Sequence, residues 1–313
     1  MRRRTRSTAA GEVIALSLCA ASPHPVVLGA ALTFGGLANA LGQPAANALI
    51  AAHLSPKRFG IGFGIKQSGI PLATLLGGLA VPTVALTIGW RAAFVIAAAL
   101  ALITIPLIPS DAAAPHPRQE GPVPRMAIRP LWVLAGGLMF VVIASSSIGS
   151  FGTVGGVSVG LSEGTAGYLV AIGGLAGLVI RVGAGAYADH RRFDSLLAVS
   201  ALVVVGALGW TAMAVGNPAA YCVGLVVANA FGWGWPGLQQ LSMARRFPVS
   251  TAAASGVAQT GVALGLLLSP LLIAPIATTA GWSWAWGVVT AAAAIGAVIV
   301  WWAAHHIGDP ARA

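Results

Sequence analysis

Gly64-Ile-Lys-Gln-Ser-Gly69 and Gly256-Val-Ala-Gln-Thr-Gly261 are two copies of one motif, 192 residues apart in the chain. The same spacing relates further positions: Gly42 and Gly234, Pro44 and Pro236, Gly89-Trp90 and Gly281-Trp282, and Phe94 and Trp286. Most of the matched residues are glycine, proline or tryptophan, which fix backbone shape or anchor an interface. The register therefore predicts two structurally related halves, as in membrane proteins built from parallel repeats.

The composition sets the class of protein. The 313 residues are 57% apolar and only 8% charged, whereas a soluble domain carries about 25% charged residues. Apolar segments long enough to cross a bilayer follow one another almost without a break. We therefore predict an all-α, polytopic membrane protein with ten spans. The spans cover approximately residues 8–22, 27–50, 61–85, 91–109, 130–150, 164–186, 195–215, 220–243, 252–277 and 283–304.

The distribution of the 17 basic residues fixes the expected orientation. With a cytoplasmic N-terminus, only Arg91 lies outside, and Lys66 and Arg181 fall within spans. All the others are on the inner side: Arg2, Arg3, Arg4, Arg6, Lys57, Arg58, Arg118, Arg125, Arg129, Arg191, Arg192, Arg245, Arg246 and Arg312. This positive-inside pattern predicts a multi-pass protein with both termini cytoplasmic. Because membrane insertion explains the net charge of +10, we expect no binding to nucleic acid.

The chain offers no pattern typical of an enzyme. Cys19 and Cys222 both lie in predicted spans and are too few for a disulfide framework or a zinc site. The tail pair His305-His306 is too short to predict a metal site. No nucleophile with a base, carboxylate dyad or metal-ligand spacing is present, so we expect neither a cofactor nor a bound metal.

A stripe of amides runs along the second span. Asn39, Gln43 and Asn47 recur every four residues, so they share one helix face. Amides buried in hydrocarbon cost several kcal/mol unless they find partners or water. The face therefore either lines a solute cavity or bonds to neighbouring helices. The counterparts of these residues in the second copy are Phe231, Trp235 and Gln239.

The third span contains an ionisable residue. Lys66 lies about 9 Å inside the start of the helix, at 1.5 Å per residue, and is followed by Gln67. Such a residue is either functional or a lysine that snorkels to the headgroups. The second copy keeps the glutamine, as Gln259, but has Ala258 in place of the lysine. Lys66, Gln67 and Gln259 are therefore added to the residues predicted to line the solute cavity.

The sixth span ends in a cluster of charge. Arg181 is followed by Gly185, Asp189, Arg191 and Arg192. The cluster is either ordinary charge on the inner side or an ion-paired latch between spans that closes in one conformation. Arg181 itself either contacts the solute or pairs with Asp189, eight residues further on.

In these residues the chain resembles the major facilitator superfamily, whose members have two six-helix halves around a central cavity. Gly185-x-x-x-Asp189-His190-Arg191-Arg192 is similar to the loop signature Gly-x-x-x-Asp-Arg-x-Gly-Arg of that family. The glycine-rich third span resembles the fifth helix of the family, and Gly89-Trp90-Arg91 the turn into the sixth. The resemblance implies two pseudo-symmetric halves. We expect residues 1–110 as an N-terminal half, 111–129 as a cytoplasmic linker and 130–313 as a C-terminal half.

Three departures from the family pattern matter. Its proton-coupled exporters carry an arginine in the helix that corresponds to residues 27–50, where this sequence has none, and their Gly-Pro motif is degenerate here as Gly69-Ile-Pro71. The halves also differ, with four spans against six. We therefore predict that the first two helices of the family pattern are missing, through a misassigned start or a true truncation.

Three functions follow from these patterns. The first is a secondary active transporter that works by alternating access, with an organic or inorganic anion favoured by Lys66 and Arg181. The second is a drug or metabolite exporter that uses Phe231, Trp233 and Trp235. The third is a truncated, non-transporting protein of the same fold. We expect a monomer in a bacterial inner membrane, surrounded by lipid, whose partner is a small solute coupled to a proton or another ion.

Overall fold

The structure, a computed structural model, describes residues 2–106, 121–191 and 193–307, with the side chains of residues 2–7, 40–49, 51–53 and 56 left out. Every regular element in these residues is helical, so the predicted all-α class is confirmed. The α-helices are α1 (Arg2–Ala21), α2 (Pro25–His53), α3 (Phe59–Gln67), α4 (Gly69–Ala80), α5 (Trp90–Thr104), α6 (Arg125–Ser158), α7 (Glu163–His190), α8 (Ser195–Ala214), α9 (Pro218–Val227), α10 (Pro236–Arg246), α11 (Thr251–Thr279) and α12 (Trp282–His306). A 3-10 turn covers Pro56–Arg58, and π-helical turns cover Val81–Ala85 and Ala228–Gly232.

Six helices in the described residues are long and apolar enough to cross a membrane. They are Phe59–Ala85, Arg125–Ser158, Glu163–His190, Ser195–Ala214, Thr251–Thr279 and Trp282–His306. Three shorter apolar helices cover Thr8–Ala21, Pro25–Asn39 and Trp90–Pro106. The predicted eighth span is divided into α9 and α10 by a π-helical turn and a short break. The predicted count of four plus six spans stays a prediction.

The chain forms two compact units. The first comprises Met1–Pro56 and Ala80–Arg118, and the second comprises Lys57–Leu79 and Gln119–Ala313. In the first unit α1 packs on α2 and α5. The guanidinium of Arg91 lies over the ring of Trp90 and donates to the carbonyl of Ser22 at 3.0 Å, which ties α5 to the end of α1. The boundaries that the sequence predicts at residues 110 and 130 stay predictions.

In the second unit α6 packs closely against α11 and α12. A Cβ atom on Gly261 would lie 1.8 Å from the carbonyl oxygen of Ala135, so the two backbones touch. Hydroxyl groups add bonds between helices, because Ser269 donates to the carbonyl of Ile143 at 2.9 Å. Small residues and interhelical hydroxyl bonds are the usual means of helix packing in membranes, where lipid provides no hydrophobic drive between helices.

Candidate functional site

The break between α3 and α4 exposes a backbone carbonyl. Pro71 lies four residues after Gln67 and has no N–H, so the carbonyl of Gln67 has no helical partner. A second break precedes α10, where Pro236 deprives the carbonyl of Gly232 in the same way. The hydroxyl of Ser145 donates to that carbonyl at 2.7 Å. Each break thus leaves an acceptor that another helix satisfies.

Arg181 of α7 joins the two breaks. Its Nη1 donates to the carbonyl of Gln67, and its Nε donates to the carbonyl of Trp233 at 2.6 Å. The guanidinium lies 5.3 Å from the centroid of the Trp233 ring, within the range of a cation–π contact. Only 1% of the residue is exposed. Its Nη2 group is buried and has no hydrogen-bond partner among the described residues.

No carboxylate in the described part of this unit neutralises Arg181. Asp194 pairs with Arg246 at 2.7 Å, and Glu163 lies in the first turn of α7. Asp189, the alternative partner considered from the sequence, binds backbone amides instead. Within the described residues, the charge of this buried cation is met only by carbonyl dipoles and an aromatic face.

Glycines bring α3 and α4 into backbone contact with α7. A Cβ on Gly60 would lie 2.3 Å from the carbonyl oxygen of Gly185, and a Cβ on Gly64 would lie 2.8 Å from that of Arg181. Further along, a Cβ on Gly174 would lie 2.6 Å from the amide of Leu75. This close approach is what allows Arg181 to reach the backbone at Gln67.

Asp189 closes the other end of the same interface. Its two carboxylate oxygens accept from the amides of Gly60 at 2.7 Å and Ile61 at 2.8 Å, in the first turn of α3. These amides have no partner within their own helix, and the positive end of the helix dipole favours an anion there. Arg191 is exposed, and Arg192 lies outside the described residues. The carboxylate therefore caps a neighbouring helix.

A buried ion pair lies beside this end, and sequence reasoning missed it. Arg246, in the last turn of α10, binds both carboxylate oxygens of Asp194 at 2.7 Å and also donates to the carbonyls of Ala304 and Ile307. Arg245 donates to the carbonyl of Ala188 at 2.8 Å. The available signal was the N-cap position of Asp194 before α8 and the basic end of α10.

Buried side-chain amides lie on α10 and on the π-helical turn Ala228–Gly232 that follows α9. Asn229, which sequence reasoning also missed, packs on α7: its Nδ2 would lie 2.9 Å from a Cβ on Gly173. The backbone carbonyl oxygen of Asn229 would lie 3.2 Å from a Cβ on Gly177, which is one helical turn before Arg181. The Nδ2 of Asn229 and the Nε2 of Gln239 are buried and lack partners among the described residues.

The remaining predicted cavity residues are dispersed. Trp235 is in the core, where its Nε1 donates to Ser145 at 3.3 Å and its ring stacks on Trp233 with centroids 6.2 Å apart. The half-buried side chains are Lys66, Phe231 and Gln259, the buried ones are Gln67 and Gln239, and Asn39 is exposed on α2. The side chains of Gln43 and Asn47 lie outside the described residues.

Comparison with known proteins now identifies the family. The family model described as Major Facilitator Superfamily matches residues 2–250. The chain belongs to the Major Facilitator Superfamily. The predicted resemblance is thereby confirmed, and the chain is a member of a transporter family and not an enzyme.

Solved structures of major facilitator proteins have the same fold. The human organic anion transporter MFSD10 (TETRAN) superimposes with a TM-score of 0.68 at 17% identity, over 98% of this chain and 77% of that one. The fucose:proton symporter FucP of E. coli gives a TM-score of 0.68 at 10% identity, over 96% of this chain and 83% of that one. No curated protein matches the chain. At these identities the likeness concerns the fold alone.

Proposed function

We propose that this major facilitator protein is a secondary active transporter of a small anionic solute, with Arg181 as the residue that attracts the anion. The observation that carries the proposal is the buried guanidinium whose Nη2 group lacks a partner among the described residues. An organic or an inorganic anion fits this chemistry, since both present oxygen acceptors to a guanidinium.

The energetics favour a ligand at this position. Removing one cation from water costs several kcal/mol even after relaxation, and an uncompensated buried charge destabilises the protein strongly. Two carbonyl bonds and the Trp233 ring offset part of this cost, but they leave the full positive charge in place. An ionisable residue at membrane depth marks a solute or ion pathway by default.

Neighbouring groups support the same assignment. Lys66 precedes the residue whose carbonyl Arg181 binds, so a second cation lies one residue away along α3. The buried amide of Asn229, one turn from Arg181 along α7, adds a neutral N–H donor. The unpartnered N–H donors of Arg181 and Asn229 among the described residues suit an anion better than a cation or an apolar ligand.

In this proposal the contact between α3 and α7 opens and closes during the alternating-access cycle. Asp189 holds α3 through two charged hydrogen bonds. In the proposed cycle these two bonds break and re-form together, as a latch does. One structural relative is an organic anion transporter and another is a sugar:proton symporter. Anion transport and coupling to a proton or another ion are both compatible with the fold. We place the protein, as a monomer, in a bacterial inner membrane with cytoplasmic termini.

The test is uptake into proteoliposomes that contain the purified full chain. The probes are labelled nitrate, phosphate, succinate and benzoate, with glucose as a neutral comparison. We expect at least one anion to enter faster than glucose, and Arg181→Gln to reduce its uptake at least tenfold. Arg125→Gln, which removes an exposed arginine, is the matched control. Uptake of an anion that survives Arg181→Gln unchanged would refute the assignment, provided that helix content by circular dichroism is equal.

A second candidate function is export of aromatic or apolar compounds. Trp233 is half-buried and stacks on Trp235 with an interplanar angle of 8°, which favours flat ligands. Drug resistance conferred on expression, together with no anion uptake, would favour this alternative. Absence of any flux from a folded protein would favour the non-transporting form.

A further inference from the structure

A surface groove of about 510 Å³ lies between the start of α6 and the end of α12, away from the Arg181 site. Its lining consists of Met126, Arg129, Pro130, Val133, Trp302 and His306. We propose that this groove binds the headgroup of an anionic phospholipid of the inner leaflet. The proposal is independent of the transported solute.

The groove lies at the depth of lipid headgroups. At 34 residues α6 is about 50 Å long, whereas the hydrocarbon core is about 30 Å thick. The first turns of α6 therefore extend beyond the hydrocarbon, on the side that the positive-inside pattern makes cytoplasmic. Trp301 and Trp302 are both exposed near the end of α12, and tryptophan is typical of the membrane interface.

The charges of the groove suit a phosphate. Arg129 is exposed and has no hydrogen bond or ion pair within the part of the chain that the structure describes. His306 stacks on Trp302 with centroids 3.8 Å apart, and its Nδ1 donates to the Trp302 carbonyl at 2.8 Å. Because Nδ1 is used in this way, Nε2 is the nitrogen left to face a ligand, and it donates to a phosphate oxygen when the ring is protonated. Basic pockets between helices on the cytoplasmic side recognise anionic headgroups in this way.

The rest of the lining suits a lipid and not a free anion. Met126 is 93% exposed and Val133 lies two turns further into the membrane, so apolar surface extends from the basic groups towards the acyl chains. Pro130 has no N–H, which deprives the carbonyl of Met126 of its helical partner. That carbonyl can accept from the hydroxyls of a glycerol headgroup.

The test is native mass spectrometry of the full chain in detergent with phosphatidylglycerol or phosphatidylcholine of identical acyl chains. We expect phosphatidylglycerol to bind more tightly, and Arg129→Gln to weaken it about fivefold, the factor that corresponds to about 1 kcal/mol for one basic residue near an anionic surface. His306→Gln should weaken it less. Lys57→Gln, which removes another exposed cation, should leave it unchanged.

Three results would overturn the proposal: equal binding of the two lipids, equal loss in Arg129→Gln and Lys57→Gln, or no loss in Arg129→Gln. If soluble glycerol phosphate displaces the lipid, the groove recognises the phosphate alone and the acyl contribution is refuted. Uptake measurements do not enter this test, so it stands or falls apart from the transport assignment.

Discussion

Asp189→Asn is the sharpest perturbation of the contact between α3 and α7. The native carboxylate accepts two amide hydrogen bonds, at 2.7 and 2.8 Å. Asparagine keeps the size of the side chain but loses the charge and one acceptor oxygen, so one amide faces an NH₂ group. A hydrogen bond to a charged group contributes about 1.5–3 kcal/mol and a neutral one about 1 kcal/mol. Because Asp189 is only half-buried, water replaces part of the loss, and about 2 kcal/mol remains.

Hydrogen exchange measures this loss directly. The amides of Gly60 and Ile61 are the groups that Asp189 protects, and 2 kcal/mol corresponds to about a 30-fold faster exchange when opening limits protection. Mass spectrometry of a peptide spanning residues 57–67 reports the rate, and a peptide from α12 serves as an internal reference. Arg191→Gln is the matched control, because Arg191 is exposed and adjacent to the same helix end. Unchanged exchange in Asp189→Asn, or an equal rise in Arg191→Gln, would refute the helix-cap interpretation and restore an ion-paired cluster.

Two further substitutions test the packing around the site. Gly185→Ala places a Cβ 2.3 Å from the carbonyl oxygen of Gly60. It should lower the free energy of unfolding by about 1–3 kcal/mol and lower the thermal midpoint in detergent. Gly183→Ala, whose Cβ would have nothing within 4 Å, should be neutral or stabilising. Asp194→Ser keeps a side chain that can cap α8 but removes the carboxylate from Arg246, whose pair is 3% and 5% exposed; unfolding should become easier by about 3 kcal/mol, and equal midpoints for the variant and the native protein would contradict this.

The sequence was sufficient for the fold class because the decisive terms are global. Few charges, long apolar runs and basic inner segments leave only a helical membrane protein as a solution. Gly60 and Gly64, four residues apart, permit another helix to approach closely, and in the structure that helix is α7. What spacing alone could not reveal was that partner, since the contact joins residues more than 100 positions apart.

The side-chain chemistry of the site was harder to predict. The basic residues next to Asp189 in the sequence suggested ion pairs, because adjacent opposite charges can be recognised from the sequence. A backbone amide at the start of another helix is an equally good hydrogen-bond partner, but every residue except proline has one, so the sequence does not indicate which amide is used. Asn229 escaped for the same reason: a single amide in an apolar stretch shows no periodicity, and its burial against α7 depends on tertiary packing.

Asymmetry between the two copies of the repeat explains where the site forms. The glutamine of the motif is kept in both copies, but Pro71 and Lys66 are replaced by Ala263 and Ala258 in the second. An alanine at the proline position restores the N–H that closes the helix, so only the first copy offers a free carbonyl to a guanidinium. Arg181 uses that carbonyl. The repeated glycines build a scaffold common to both copies, and the two unrepeated residues create the polar break within it. A cation buried at such a break is held in place by the backbone without being neutralised, which is the condition for attracting an anion from outside the chain.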